Sequence, residues 1–364
     1  MPPPSGRPEL TLYASRSVTD TGAKLSDYTN VIHTPLLSID SFNGAQSVTL
    51  NEAVGGKVSW PLPPLGRLAS TLSLGADLKH YQLASYNTNN FSANTYITNT
   101  DGSVTNIGSK IASAQPVMRN EIYYLPVNLG VNGSIPDSWG VTFFNAQANC
   151  DLTTFGGYSA RVNGGTNVSH SSGGLAKVAG ASNVRDHYLT IQAGADRQQR
   201  IYKEWTVKLH ADGQWANGRL FSNEQFGLGG TAGVRGYQDG QAYGDTGWRL
   251  SIEPQTPLVN IGMVDGDVPF WFRASLFMDY GHLYLLGGGY FTRLAYLNGP
   301  VLAHKSTDPT DLDFWGAGWA FTVNIGNHID GRFAMGFPLT NPGVAHDWSS
   351  LGDMHFYFTV GAQF

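Results

Sequence analysis

Charge is scarce in this chain. Only 13% of its 364 residues are Asp, Glu, Lys or Arg, about half the usual share. Lys+Arg number 22 against 27 Asp+Glu, a net charge of -5, so the basic surface that nucleic acid requires is missing. One cysteine, Cys150, excludes an internal disulfide and any thiolate zinc centre. No run of 18 apolar residues occurs, which excludes a transmembrane helix. Met1-Pro2-Pro3-Pro4-Ser5-Gly6 is not a signal peptide. Helix-favouring Glu and Lys are few, so a coiled coil or a helix-rich enzyme is ruled out.

What the chain does have is glycine, 45 residues, and aromatics, 12%. Together with plentiful Thr, Ser, Asn and Tyr, they favour many strands joined by polar loops. Period-2 alternation is clear towards the C-terminus. Phe356, Phe358, Val360, Ala362 and Phe364 share one face, and His355, Tyr357, Thr359, Gly361 and Gln363 the other. Trp248, Leu250 and Ile252 oppose Arg249, Ser251 and Glu253. Arg273, Ser275, Asp279 and Gly281 oppose Phe272, Ala274, Leu276, Met278 and Tyr280, with Phe277 as the exception on the polar side. Arg332, Ala334 and Gly336 oppose Phe333, Met335 and Phe337. One face is apolar with aromatics at strand ends, and the other is small, polar or charged.

That pattern predicts an all-β fold, a transmembrane antiparallel up-and-down β-barrel with a wet lumen, in preference to a soluble sandwich. Long connections near 84–118, 151–183, 213–243, 285–312 and 340–353 alternate with short ones near 61–67, 132–138, 196–203, 257–268 and 326–328. Long loops on the extracellular side and short turns on the other are the expected layout. The segments Ser85–Asn90 and Val168–Gly174 are read as polar loops. Leu10–Ser17 is read as a strand, and Ser47–Val54 and Gly56–Pro61 as two weaker ones, for about fourteen strands in all.

Three weaker signals are set aside. Gly227-x-Gly229-x-x-Ala232 nominally fits a dinucleotide fingerprint, but that motif must follow a strand and open a helix. Asp308, Asp311 and Asp313 crowd one loop without calcium-loop spacing. The ten histidines show no metal-ligand spacing. No metal and no cofactor is expected, nor a hydrolase of the Gly-x-Ser-x-Gly kind.

The segment that decides the reading runs from Ser222 to Tyr237. It is glycine-dense, and Arg235 is its lone cation between Val234 and Gly236. Residue chemistry alone leaves two readings open, a surface loop and a loop folded into a lumen with Arg235 on an acidic partner. Glu224-Gln225-Phe226, Gly229-Gly230 and Val234-Arg235-Gly236-Tyr237 resemble the signature loop of the BamA-like outer-membrane translocation superfamily. The Glu-Gln-Phe prefix points within it to the TpsB transporters of two-partner secretion, of the ShlB, FhaC and HecB type. Gly244–Trp248 with Ser251–Glu253, Phe277-Met278-Asp279-Tyr280-Gly281, Gly336–Leu339 and the terminal Phe364 resemble the strands that follow, so the resemblance covers residues 201–364.

The resemblance implies a sixteen-strand barrel with the signature loop after the eleventh strand. Five candidate strands follow residue 237 here, and nine precede it. Family members carry a signal peptide and periplasmic POTRA domains, so residues 1–364 are expected to be the barrel part, without those segments and without the first strands. Arg235 is expected to dock on Asp279, the carboxylate of the Phe-x-Asp-x-Gly motif, with Glu253 as the second choice. Gly316, Gly318, Gly336 and Gly361 would leave room in the lumen. Phe364 would be the signal read by the barrel assembly machinery. The implied function is export of an unfolded client polypeptide, such as a haemolysin or adhesin, through the outer membrane of a Gram-negative bacterium, with possible activation of that client. The chain would be a lipid-embedded monomer and not an enzyme. An assembly factor of the BamA kind and a passive structural pore are the alternatives.

Overall fold

The computed structural model describes residues 6–20, 24–25, 29–114, 117–162, 165–167, 187–264, 267–286, 311–326, 328–342, 349 and 351–362. Among them, twelve strands follow one another through a single antiparallel sheet. They are Glu9–Asp20, Leu37–Pro61, Ala69–Thr98, Val117–Pro136, Gly140–Val162, Leu189–Tyr202, Trp205–Ala216, Thr246–Gln255, Val268–Tyr284, Asp311–Ile325, Ile329–Pro338 and His355–Ala362. Each pairs with the next in this order. Shorter pieces extend them: Val104–Ala114 returns along Asn89–Thr98, and Val259–Val264 pairs with Val268–Phe272. No described helix is long and apolar enough to cross a membrane.

The sheet has the polarity of a membrane wall. On Val268–Tyr284, Leu276 is 64% exposed while Asp279 is 1% exposed; on Thr246–Gln255, Ile252 is 46% exposed and Glu253 5%. Leu10, Leu12, Leu74, Leu78, Leu129, Ile191, Leu209, Phe356 and Phe358 also lie exposed. A water-facing protein could not leave so much apolar surface uncovered, and lipid is the medium that suits it. Trp248, Tyr280 and Trp315 cluster on the apolar face, Trp248 meeting Tyr280 edge-on with ring centroids 4.9 Å apart and Tyr280 tilted against Trp315 at 4.4 Å. Above that aromatic patch His282 meets Asp311 and Asp313 at 3.0 and 3.1 Å. The outer face therefore turns from apolar to charged across one aromatic layer, as girdles do.

The sheet is strongly curved. Nine pairings separate Ala69–Thr98 from His355–Ala362, about 43 Å if the sheet were flat. Yet Glu224 touches Lys79 on the first of these strands, and Gly236, twelve residues on, touches Tyr357 on the last. The segment between them is folded, not extended, so the wall must bend round it.

Several connections differ from the sequence reading. Among the described residues the run of successive pairings takes in twelve long strands, seven of them before the signature loop, with shorter strand pieces beside them. Ser47–Val54 and Gly56–Pro61 belong to one strand, Leu37–Pro61. The long connection at 84–118 is mostly strand. Ser85–Asn90 lies inside Ala69–Thr98, and the actual turn is at 99–103, where Asp101 accepts from the Ser103 N–H at 2.9 Å. Polar Asn and Ser disfavour strands only weakly, and cross-strand pairing overrides them. Asp311 and Asp313 sit in the strand Asp311–Ile325, and Val168–Gly174, Asp308 and Phe364 lie outside the described residues. At the tight turn 137–139, hydrogen bonds from the Trp139 N–H and from Arg197 hold the Asp137 carboxyl below the usual range.

Candidate functional site: the lumen loop and its seat

The chain from Asn217 to Asp245 leaves the sheet between Trp205–Ala216 and Thr246–Gln255 and lies on the polar, concave face. It is a compact fold, not a slack connection. Ser222–Glu224 makes a 3₁₀ turn, and Phe226–Leu228 pairs with Ala242–Gly244. Gly229 and Gly230 follow, and the Gly233 N–H donates to the Gly230 carbonyl at 3.2 Å. The glycine spacing that mimics a dinucleotide fingerprint is thus a hairpin and a turn, with no helix to open.

Between the hairpin arms the loop presents Val234, Arg235, Gly236 and Tyr237 to the wall. Alternation explains why the wall can receive them. In the register, Ser251 lies opposite Asp279, and Asp279 opposite Gly316. Glu253 is two residues along from Ser251, on the same face. Two carboxylates and a hydroxyl therefore surround one small gap left by glycine.

Arg235 fills that gap. Its Nε donates to Asp279 Oδ2 at 2.7 Å and its Nη2 to Asp279 Oδ1 at 2.8 Å, a bidentate pair. Nη1 donates to Glu253 Oε2 at 2.7 Å, and Nη2 also to Ser251 Oγ at 3.2 Å. Even the Arg235 backbone N–H donates to Asp279 Oδ2, at 3.0 Å. The guanidinium carbon stands 3.6 Å from the centroid of the Phe277 ring. Phe277, the exception to the alternation, is buried on the polar face as the aromatic floor of the site.

A second guanidinium balances the charge. Arg332 Nη2 donates to Glu253 Oε2 at 2.6 Å, and Gln255 and Ser275 donate to its Oε1, each at 3.0 Å. Two acids and two arginines make a neutral cluster with nearly every lone pair used, the condition under which buried charges are tolerated. Arg273, on the same face as Asp279, bonds Gln255 at 3.2 Å. Arg249 donates to Asp212 at 2.7 Å and meets His210 at 2.6 Å.

Packing does the rest. Val234 and Tyr237 are fully buried with Leu228 and Ala242 of the loop against Leu283, Leu312 and Phe314 of the wall. Each buried Val, Leu or Phe side chain among them contributes roughly 1.5–3 kcal/mol. The Tyr237 ring meets Phe314 edge-on at 5.0 Å, and its hydroxyl donates to the Thr340 carbonyl at 2.7 Å. Gly236 has φ +108°, and a Cβ there would lie 2.5 Å from the Phe337 carbonyl carbon. Gln225 donates to Asp245 Oδ1 at 3.0 Å, Phe226 joins the hydrophobic cluster, and Glu224 reaches Lys79 at 2.7 Å.

Tyr357 brackets the tip: its hydroxyl accepts from the Gly236 N–H at 2.9 Å and donates to the Tyr237 carbonyl at 2.6 Å. Tyr357→Phe removes both bonds. At about 1 kcal/mol per bond, tip opening should become roughly thirtyfold easier. The check is thiol labelling of Val234→Cys in a Cys150→Ser background, and an unchanged labelling rate would contradict this role.

The wall glycines divide. A Cβ on Gly316 would lie 1.8 Å from the Arg235 carbonyl oxygen, and one on Gly336 2.6 Å from the Gly236 nitrogen. These two admit the loop. Gly318 abuts Met335 and Phe277, and Gly361 abuts Asp330, so neither opens space for it. Alternation puts Asp279 and Glu253 on the polar face, and the resemblance singles out Asp279 as a partner for Arg235; Ser251, Phe277, Arg332 and Tyr357 share that face but carry no mark of a shared site in the sequence. The cross-strand register alone brings them together.

Residues 77–295, more than half of the chain, match the family described as haemolysin secretion/activation protein ShlB/FhaC/HecB. An outer membrane transporter CdiB of Escherichia coli is 28% identical over 161 residues, 44% of this chain and 22% of that protein. A second CdiB, from Escherichia coli O6:K15:H31 (strain 536 / UPEC), is 27% identical over 160 residues, with the same coverages. The match thus spans about a fifth of the length of those relatives. Among solved structures, CdiB from Escherichia coli aligns with a TM-score of 0.45 at 16% identity, covering 94% of this chain and 62% of that one. BamA from Haemophilus ducreyi lacking POTRA domains 1-3 aligns at 0.40 and 9% identity, covering 96% and 71%. With the family match extending over most of the sheet and into the lumen loop, the chain belongs to the ShlB/FhaC/HecB family of haemolysin secretion/activation proteins.

Proposed function

We propose that residues 1–364 are the outer-membrane barrel of a two-partner-secretion transporter, which passes an unfolded client protein outward through its lumen. The observation that carries this is the seat of Arg235. A buried, charge-neutral, bidentate lock holds a folded loop on the polar face of a sheet whose other face is apolar and exposed. A static pore has no need of a specific latch on a plug, whereas a gated path for a large client does.

Outside the inner membrane there is no ATP, so client folding at the cell surface supplies the drive. The chain supplies a polar path, a closed resting state and backbone edges for transient pairing. Asp279 and Glu253 hold the tip by charge, Phe277 by its ring, and Val234 and Tyr237 by packing. The setting is the outer membrane of a Gram-negative bacterium. The partners are the secreted client, outer-membrane lipid and the barrel assembly machinery, to which Phe364 would be the signal, and the working unit is a monomer.

The test is secretion. In cells that make the client together with the full-length transporter, deletion of the transporter should leave the client in the periplasm and take it out of the medium. Export at the parent level without it would overturn the assignment.

A further inference from the structure

The loop has a second fastening, on the opposite wall from Arg235. Phe221 is buried among Tyr81, Ile122, Tyr124 and Tyr188. Its ring meets Tyr81 edge-on at 4.6 Å and Tyr124 at 6.5 Å. Next to this aromatic cage, Glu224 Oε1 accepts from Lys79 Nζ at 2.7 Å and from the Tyr124 hydroxyl at 2.6 Å. Asn223 Nδ2 donates to the same hydroxyl at 2.9 Å, and the Lys79 ammonium lies 5.5 Å from the Tyr124 ring centre. The Glu224 backbone carbonyl accepts from Gln214 at 3.0 Å. The side chains of Lys79 and Glu224 are 29% and 13% exposed, so water screens this pair far less than a surface one.

The two fastenings grip different walls. Lys79 and Tyr124 lie on Ala69–Thr98 and Val117–Pro136, whereas Asp279 and Glu253 lie on Val268–Tyr284 and Thr246–Gln255. Three strands lie between the two pairs in the sheet, Gly140–Val162, Leu189–Tyr202 and Trp205–Ala216. The loop is therefore a strap across the lumen, with its root and its tip eleven residues apart at Glu224 and Arg235. Losing the tip leaves the root in place, and such a loop swings without leaving the lumen.

We propose that Glu224, with Lys79 and Tyr124, is a second, independent anchor of the lumen loop, and that full clearance of the lumen needs both anchors released. This rests on the reading of the loop as a plug. Glu224 is a positioning residue, since it acts on the client path only through the loop. It also explains why the acidic residue of the Glu-Gln-Phe stretch stands at the end of the 3₁₀ turn: the turn aims it at the wall while Phe221 fixes the turn.

The experiment uses the full-length transporter in detergent, with Cys150→Ser and a reporter cysteine at Ala216, which is buried in the root cluster. Glu224→Gln should speed thiol labelling of that cysteine about tenfold or more, while a cysteine at Val234 in the tip labels at no more than about twice its parent rate. The exchange Lys79→Glu with Glu224→Lys should return root labelling towards the parent rate, which a merely space-filling role would not do. Arg235→Ala with Glu224→Gln should conduct ions in planar bilayers well beyond either single variant. Parent-rate root labelling in Glu224→Gln would overturn the anchor. If that variant does not insert, Tyr124→Phe decides in its place: faster root labelling supports the anchor and no change overturns it. Labelling needs no client, so an intact anchor response with unaffected secretion counts against the transport reading alone.

Discussion

Arg235→Ala should free the loop tip and cut secretion by about tenfold or more, while the barrel still inserts with parent-like heat-modifiable mobility. Removing one partner of a buried ion pair costs about 3–5 kcal/mol, because the other is left charged and unpaired. The orphan here is Asp279: Glu253 keeps Arg332 at 2.6 Å, but Asp279 loses both side-chain donors of Arg235. Labelling of Val234→Cys should rise about a hundredfold or more. Arg235→Lys should rescue little, since one ammonium cannot reproduce the fork that reaches Asp279, Glu253 and Ser251 together. Exchange of Arg235 and Asp279 should recover only part of the function, because the new acid at 235 would face Glu253. Parent-level secretion in Arg235→Ala would remove the residue from the mechanism.

Gly316→Ala should displace the loop nearly as far, with every charge in the site intact. A Cβ at 316 would sit 1.8 Å from the Arg235 carbonyl oxygen and 3.1 Å from Val234 Cγ1. A backbone carbonyl in a locked loop cannot step aside as a side chain tip can, so overpacking costs about 1–3 kcal/mol or more. Gly331→Ala is the control on a neighbouring strand, since its nearest atom would be a carbonyl oxygen 4.0 Å away. The measurement is again Val234→Cys labelling, with ion conductance as a second readout. Equal labelling in the Gly316 and Gly331 variants would show that the loop does not rest where Arg235 O meets the wall. The pair of variants separates shape from charge: Arg235→Ala removes the lock and leaves the seat, and Gly316→Ala does the reverse.

Much of the wall could be read from the chain. The alternation around Ile252, Glu253, Leu276 and Asp279 fixes which face each side chain takes, because a strand repeats every two residues whatever surrounds it. It also marks Phe277 as out of pattern, though not why. The strand count was harder to read. The polar run Ser85–Asn90 looks like a loop by composition but is strand, because pairing with Phe42–Ser47 on one side and Val117–Met118 on the other outweighs local preference. The resemblance of residues 222–237 named the loop, but its own residues do not say which wall it touches.

By itself, then, the amino-acid order determined an inverted, all-β wall, since lipid outside and water inside impose a period-2 code on every strand that spans them. It also determined that Arg235 would need an acid if it left water, since a buried guanidinium without one is too costly. Only the tertiary structure decided that this acid is a pair, that Arg332 neutralises the second member, and that Phe221 and Glu224 fasten the same loop to the far wall. Those partners lie from 18 to 145 residues apart in the chain. Strand register and the curvature of the sheet bring them within hydrogen-bond reach, and neither is written in any local stretch of sequence.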